Sequence, residues 1–214
     1  MSEKRKVDEL YEMLYSFIQS AIKLKSLPRQ GWIRVGIPLA EVESIADHSY
    51  NTAMLSLLLA DLQNELYRDL PLKVDLVMRI AIIHDLPECQ YQDFDRRLLI
   101  ILGEDQYIEF KNKILINAST ELLSLILNKE VKEKWKKNFE DLKDKNSLEA
   151  KFVSYVDKLE LLIQALSYES IGYNAKLFDD FWESSLDYLK DCPFQVIKEL
   201  IPILQNERKA INKN

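Results

Sequence analysis

Across 214 residues the chain has four glycines, six prolines, two cysteines and two histidines. Each scarcity limits what the protein can be. With so few glycines and prolines set among long stretches of Leu, Ile, Lys and Glu, the chain favours an all-helical fold. Cys89 and Cys192 are too few for a disulfide framework. No apolar run approaches the roughly 18 residues that a membrane span needs. The opening residues MSEKRKVDEL lack the apolar stretch of a secretory signal. The expected setting is the cytoplasm, with no membrane partner. Neither internal repeats nor low-complexity segments are present. Apolar residues make up 47% of the chain, which excludes disorder for its bulk. The length fits one compact domain over residues 1–214, large enough to bury a substantial core.

Basic residues number 29 and acidic residues 35, a net charge of -6. A chain this acidic is a poor electrostatic match to long nucleic acid. An anionic substrate would have to be captured by a metal and one or two arginines against the mean field.

Apolar periodicity predicts the helices. Leu10, Leu14, Phe17, Ala21 and Leu24 recur at three- and four-residue spacing and mark a helix from about Val7 to Lys25. Ser26-Leu27-Pro28 ends it, because the residue before a proline resists helical dihedrals. Residues 28–43, with Gly31, Gly36 and Pro38, read as a loop that also carries Arg29, Trp32 and Arg34. A second helix starts near Ser44 or Asp47, both plausible N-caps, and runs to about Tyr67. A third, from about Lys73 to Leu86, places Val74, Val77, Ala81 and His84 on one stripe, and Pro87 perturbs its end. A short helix at 95–102 is followed by helices at about 104–128 and 130–143. Asn146-Ser147 caps a long apolar helix from Leu148 to about Ser170, which Gly172 stops. Helices at about 175–190 and 194–210 complete the chain. Its aromatic last third (Tyr168, Tyr173, Phe178, Phe181, Trp182) reads either as core or as the surface of a homodimer.

Both histidines fall in one constellation: His48 early in the second helix, and His84-Asp85 at the end of the third. Adjacent helical residues point about 100° apart, so His84 and Asp85 reach one ion only if it sits beside the helix end. Asp157 lies among Val153, Val156, Leu161 and Leu162, where a carboxylate is costly to bury unless paired or bound to a metal. Lys158, pointing about 100° away, is expected to be a weak partner for it. Two imidazoles and two carboxylates suit a borderline or hard divalent cation: Mn, Co, Mg, Fe or Zn. Glu88 follows His84 by four residues. If the helix persists through Pro87, it lies on the same side, placed to orient a water or accept its proton. Asp93 can add a carboxylate at the mouth of the site. A His-Asp pair taken alone reads equally as a core histidine held by its neighbour, and Trp32 taken alone as a loop residue docked on the core.

The ordered stretches Pro28-Arg-Gln-Gly-Trp32, Glu43-Ser-Ile-Ala-Asp-His-Ser49, His84-Asp-Leu-Pro-Glu88 through Asp93, and Leu148-Glu-Ala-Lys-Phe-Val-Ser-Tyr-Val-Asp-Lys-Leu-Glu160 resemble the HD-domain metal-dependent phosphohydrolases. Within them the likeness is to the 5′-deoxynucleotidase branch, and it spans roughly residues 10 to 190. The resemblance implies a helical HD-domain fold, one divalent metal per chain, and hydrolysis of deoxyribonucleoside 5′-monophosphates. It carries metal ligation onto His48, His84, Asp85 and Asp157, water handling onto Glu88 and a supporting acid role onto Asp93. It carries phosphate and sugar contacts onto the loop of Arg29, Trp32 and Arg34. Two positions depart from the branch. Gln92 stands where a glycine is common, and Gly31 stands where some members have arginine, leaving either Arg29 or Arg34 to supply that charge. The reading is a metal-dependent phosphomonoesterase acting on nucleoside monophosphates. The alternatives are hydrolysis of another phosphoester, such as a nucleoside triphosphate or cyclic nucleotide, and non-catalytic binding of metal or nucleotide.

Overall fold

A computed structural model describes residues 3–91 and 101–213, with side chains from Val7. Among them every regular element is helical, and the only extended pairing is an isolated antiparallel bridge between Pro28 and Ser44. The all-α class expected from the sequence is therefore observed. No helix among the described residues is long and apolar enough to cross a membrane. Contacts group the chain into two units that interleave along the sequence. Unit 1 takes the segment up to Ser49 and then Ile83–Asp144; unit 2 takes Tyr50–Ile82 and the segment from Lys145.

In unit 1, α1 (Glu3–Ala21) tightens into a 3-10 turn over Ile22–Ser26 and stops before Pro28. The segment expected to be a bare loop contains a short helix, α2 (Gln30–Arg34). Gly36 makes it possible. At φ +96° it lets the Gly36 N–H donate to the Ile33 carbonyl (3.0 Å) and the Ile37 N–H to the Trp32 carbonyl (3.1 Å). Those two bonds close a Schellman turn, and Trp32 and Ile37, the apolar residues at its two ends, are both buried. The chain then returns alongside itself, the Arg29 N–H donating to the Glu43 carbonyl (3.1 Å) and the Ile45 N–H to the Leu27 carbonyl (2.8 Å).

The helix α3 (Ile45–Leu62) begins in unit 1. Both expected caps act, and they act on each other. Asp47 Oδ2 accepts from the Ser44 N–H at 2.9 Å, and the Asp47 N–H donates to Ser44 Oγ at 3.1 Å. This reciprocal box satisfies donors that a helix start leaves unpaired. Unit 1 resumes at Ile83 with α5 (Glu88–Tyr91), α6 (Glu104–Ser124) and α7 (Lys129–Asp144). The expected helix at 95–102 lies, but for Ile101 and Leu102, outside the described residues. The core of the unit is Leu24, Ile45, Ile83, Leu86, Cys89, Leu122 and Phe139, with Phe17 and Trp135 packed against it. Phe17 meets Trp135 edge to face at 5.3 Å. Each apolar side chain so buried stabilises by about 1.5–3 kcal/mol relative to exposure.

In unit 2, α3 runs on into a π-helical turn over Gln63–Tyr67, and α4 (Val74–Ile83) begins. Glu149 Oε1 accepts from the Lys73 N–H at 2.9 Å, fixing the start of α4. The central helix is α8 (Leu148–Ser170), whose predicted bounds are those observed, and Ser147 Oγ caps it by accepting from the Ala150 N–H at 3.0 Å. Against it pack α9 (Asp179–Leu189) and α10 (Gln195–Ile211). Of the aromatic last third, Tyr168, Phe178 and Trp182 are buried core while Tyr173 and Phe181 are half-buried, and Tyr168 stacks on Phe178 at 6.0 Å. Arg208 draws three groups together, donating to the buried Glu169 (2.9 Å) and to Asp179 (2.7 Å) and lying over the Trp182 ring.

The end of α8 repeats the α2 turn. Gly172, at φ +105°, donates to the Glu169 carbonyl (3.1 Å), and the Tyr173 N–H donates to the Tyr168 carbonyl (3.2 Å). A Cβ at Gly172 would meet nothing within 4 Å, so only the backbone conformation demands glycine. Gly172→Ala is therefore expected to destabilise by about 1–3 kcal/mol. Urea unfolding of the variant checks this, and an unchanged midpoint would show that the turn tolerates a side chain.

Candidate metal centre

The cap on α3 sets the first candidate ligand. With Ser44 fixed by Asp47, and the His48 N–H donating to the Ser44 carbonyl at 3.2 Å, the first turn of α3 carries the His48 imidazole into the interior. Its side chain is 0% exposed. The second and third candidates come from the other end of the excursion through unit 2. The helix α4 closes at Ile83, before His84 rather than through Leu86 as expected. Pro87 explains the early stop: it denies a helical N–H and biases Leu86 away from helical dihedrals. Residues 84–87 instead form tight turns, with the Leu86 N–H on the Ile83 carbonyl and the Glu88 N–H on the Asp85 carbonyl.

Three donor atoms converge. His48 Nε2 lies 3.2 Å from His84 Nε2, and Asp85 Oδ2 lies 3.4 Å from the first and 3.3 Å from the second. A cation about 2.0–2.2 Å from each of three such ligands would hold neighbouring donors roughly 3.0–3.4 Å apart at octahedral or tetrahedral angles. The triangle matches. Two imidazole nitrogens facing each other with a carboxylate oxygen near both form a donor set that would suit a shared cation once both nitrogens are deprotonated. Burial by itself would raise the Asp85 carboxyl. The charges of His84, His48 and Arg29, and a hydrogen bond from His84, outweigh it and hold the group well below the usual carboxylate range, as an anion.

Arg29 joins the cluster, its Nη1 donating to Asp85 Oδ2 at 3.1 Å. Of the two arginines left open by the sequence, this is the one whose guanidinium is seen at the donor triangle; Arg34 sits half-buried in the last turn of α2. Trp32 is 1% exposed, and its indole N–H donates to Glu43 Oε1 at 2.7 Å. The ring is thus held inside the loop. Glu88 is half-buried at the first position of α5, reached through the turn at Pro87 and not along one continuous helix. Asp93 lies outside the described residues.

Asp157 belongs to unit 2, in the middle of α8. One expectation about it is corrected. Lys158 is a close partner, its Nζ donating to Asp157 Oδ2 at 2.8 Å. The angle between adjacent helical positions is as expected, but four methylenes let a lysine ammonium curl back across it. Among the residues that sequence reasoning passed over is Glu43. It stands in a matched stretch, yet nothing in its neighbours announces that it will be buried and bonded to an indole eleven positions earlier.

A model of the HD domain matches residues 21–192. The chain belongs to the HD-domain family. This HD-domain protein is 29% identical to the 5′-deoxynucleotidase HDDC2 of Xenopus laevis, over 94% of its own chain and 90% of that protein. It is 30% identical to the Homo sapiens protein of the same name, over 80% and 76%. Among solved structures, a conserved hypothetical protein from Pyrococcus furiosus is 32% identical with a TM-score of 0.67, covering 91% of this chain and 99% of that one. An HD-domain phosphohydrolase from Listeria innocua, at 17% identity and a TM-score of 0.71 over 94% and 93% of the two chains, shares the fold.

The triangle predicts that the purified protein binds a divalent cation and that His84→Ala loses tight binding. The loss should exceed the roughly 10- to 100-fold typical of removing a supporting hydrogen bond. Elemental analysis and metal titration measure it. An intact protein that takes up no metal would refute the assignment.

Proposed function

We propose that this protein is a metal-dependent phosphomonoesterase that hydrolyses nucleoside 5′-monophosphates, deoxy forms by preference, to nucleoside and phosphate. The observation that carries the reading is the convergence of His48, His84 and Asp85 donor atoms within 3.4 Å, beside the Arg29 guanidinium. The relatives support the substrate class, since proteins matching most of the chain are 5′-deoxynucleotidases. One HD domain spanning residues 1–214 is part of the reading. One divalent ion per chain, drawn from Mn, Co, Mg, Fe or Zn, would be held by His48, His84 and Asp85, with Asp157 as a fourth ligand.

Such an ion, when bound, supplies Lewis acidity to the phosphate and makes water more acidic. The side chains do the rest. Glu88 orients the attacking water and takes its proton as the new P–O bond forms and the ester P–O bond breaks. Arg29 spreads the charge that builds on the equatorial phosphoryl oxygens. A guanidinium has five N–H donors, so an ion pair with Asp85 leaves the geometry for a phosphate contact. Asp93 acts as a supporting acid, and Trp32 and Arg34 complete the substrate loop. The reading also takes the protein to be a cytoplasmic homodimer. With Tyr168, Phe178 and Trp182 of the last third buried, the support for a dimer is the exposed apolar face of α1 (Leu10, Tyr11, Leu14, Tyr15, Ile18), and sedimentation tests it.

A phosphate-release screen over nucleoside mono-, di- and triphosphates with Mn, Co and Mg tests the activity. Glu88→Gln keeps the shape and removes the base. It should retain metal and nucleotide affinity while turnover falls about 10²- to 10⁴-fold, or about 3–5 kcal/mol of transition-state energy. Wild-type turnover in that variant would remove Glu88 from the role. Protein that binds nucleotide but releases no phosphate with any metal would be a binder.

The two arginines separate by the same assay. Arg29→Ala should raise KM for nucleotide and lower kcat, because phosphate charge is stabilised in both ground and transition states. Arg34→Ala should do less. The reverse order would assign the phosphate to Arg34.

A further inference from the structure

Glu43 is a buried acid, 9% exposed, with no part in the proposed chemistry. Its side chain accepts from the Trp32 indole at 2.7 Å. Its own carbonyl accepts from the Arg29 N–H at 3.1 Å. The next residue, Ser44, is the cap of the helix that carries His48, and a Glu43 carboxylate oxygen lies within 4.8 Å of a His48 ring nitrogen. Trp32 is fixed from its other side by the Gly36 turn, whose Ile37 N–H bonds the Trp32 carbonyl. One residue thus holds the arginine loop at two points, by main chain at Arg29 and by side chain at Trp32.

We infer that Glu43 is a positioning residue for substrate: through Trp32 and the Arg29 main chain it fixes the guanidinium at the donor triangle. The inference rests on the phosphomonoesterase reading for the identity of that substrate. A flexible arginine on an irregular loop would lose conformational entropy each time it met a phosphate. The indole–carboxylate bond removes that freedom before binding. An indole donor alone needs only a neutral acceptor, so the function of the contact is carried by its geometry, and glutamine should substitute for it.

The test uses metal-loaded protein and nucleoside monophosphate, with KM, kcat, metal affinity and thermal midpoint measured for each variant. Glu43→Ala should raise KM about 10- to 100-fold, the scale of misplacing a binding group by about 1 Å, with a smaller change in kcat. Glu43→Gln, which keeps an acceptor oxygen, should restore KM. In an Arg29→Ala background, Glu43→Ala should add no further rise, because the group it positions is gone. Wild-type KM in Glu43→Ala, or an additive loss in the double variant, would overturn the inference. If Glu43→Ala does not fold, Trp32→Phe removes the same bond from the other side and should show the same KM rise without a change in metal affinity; unchanged KM there is equally fatal. Calorimetric affinity for inorganic phosphate gives the same comparison without turnover. A wild type that hydrolyses no monophosphate would sink the activity reading, while the variant order in phosphate affinity would still decide the role of Glu43.

Discussion

Two imidazole nitrogens held 3.2 Å apart impose the constraint around which unit 1 is arranged. Neither histidine reaches that point through a helix interior. His48 sits in the first turn of α3, and His84 in the turn just past α4. Helix ends are where a side chain's direction depends on a few local bonds, and both ends here are tied. The Ser44–Asp47 box sets one, and the Pro87 turn sets the other. Asp85 then lies between the two rings, and the surrounding positive charge keeps it ionised despite burial.

The arginine loop answers the same constraint from outside. It has no strand or long helix to stiffen it, so its order comes from single bonds. These are a bridge at Pro28 and Ser44, a glycine turn behind Trp32, and a buried carboxylate on the indole. That Arg29 meets Asp85 follows from this scaffold. Arg29 borders the bridge, whereas Arg34 lies at the far end of α2.

What could be read from the sequence was what repeats or what caps. Periodicity placed the long helices, and α8 matches its expected bounds because Ser147 and Gly172 mark its limits by well-defined backbone chemistry. Both histidines could be singled out because there were no others to compete. What escaped was set by short-range detail or by reach across the fold. A five-residue helix has no period to detect, so α2 was hidden inside a loop. Glu43 was hidden because burial of an acid depends on a partner that sequence does not place. The Asp157–Lys158 pair was misjudged because helical angles locate Cβ atoms, while lysine's charge sits three methylenes beyond its own.

The interleaving of the two units has a thermodynamic side. The chain leaves unit 1 directly after Ser49 and re-enters it at Ile83, so His48 and His84 stand at the two ends of one long excursion, 36 positions apart. A cation shared by these nitrogens would act as a cross-link across that loop. By the chain-entropy relation for covalent cross-links, closing a loop of this length would take about 4 kcal/mol of freedom from the unfolded chain. An ion bound there would then also raise the stability of the fold by restricting the unfolded chain.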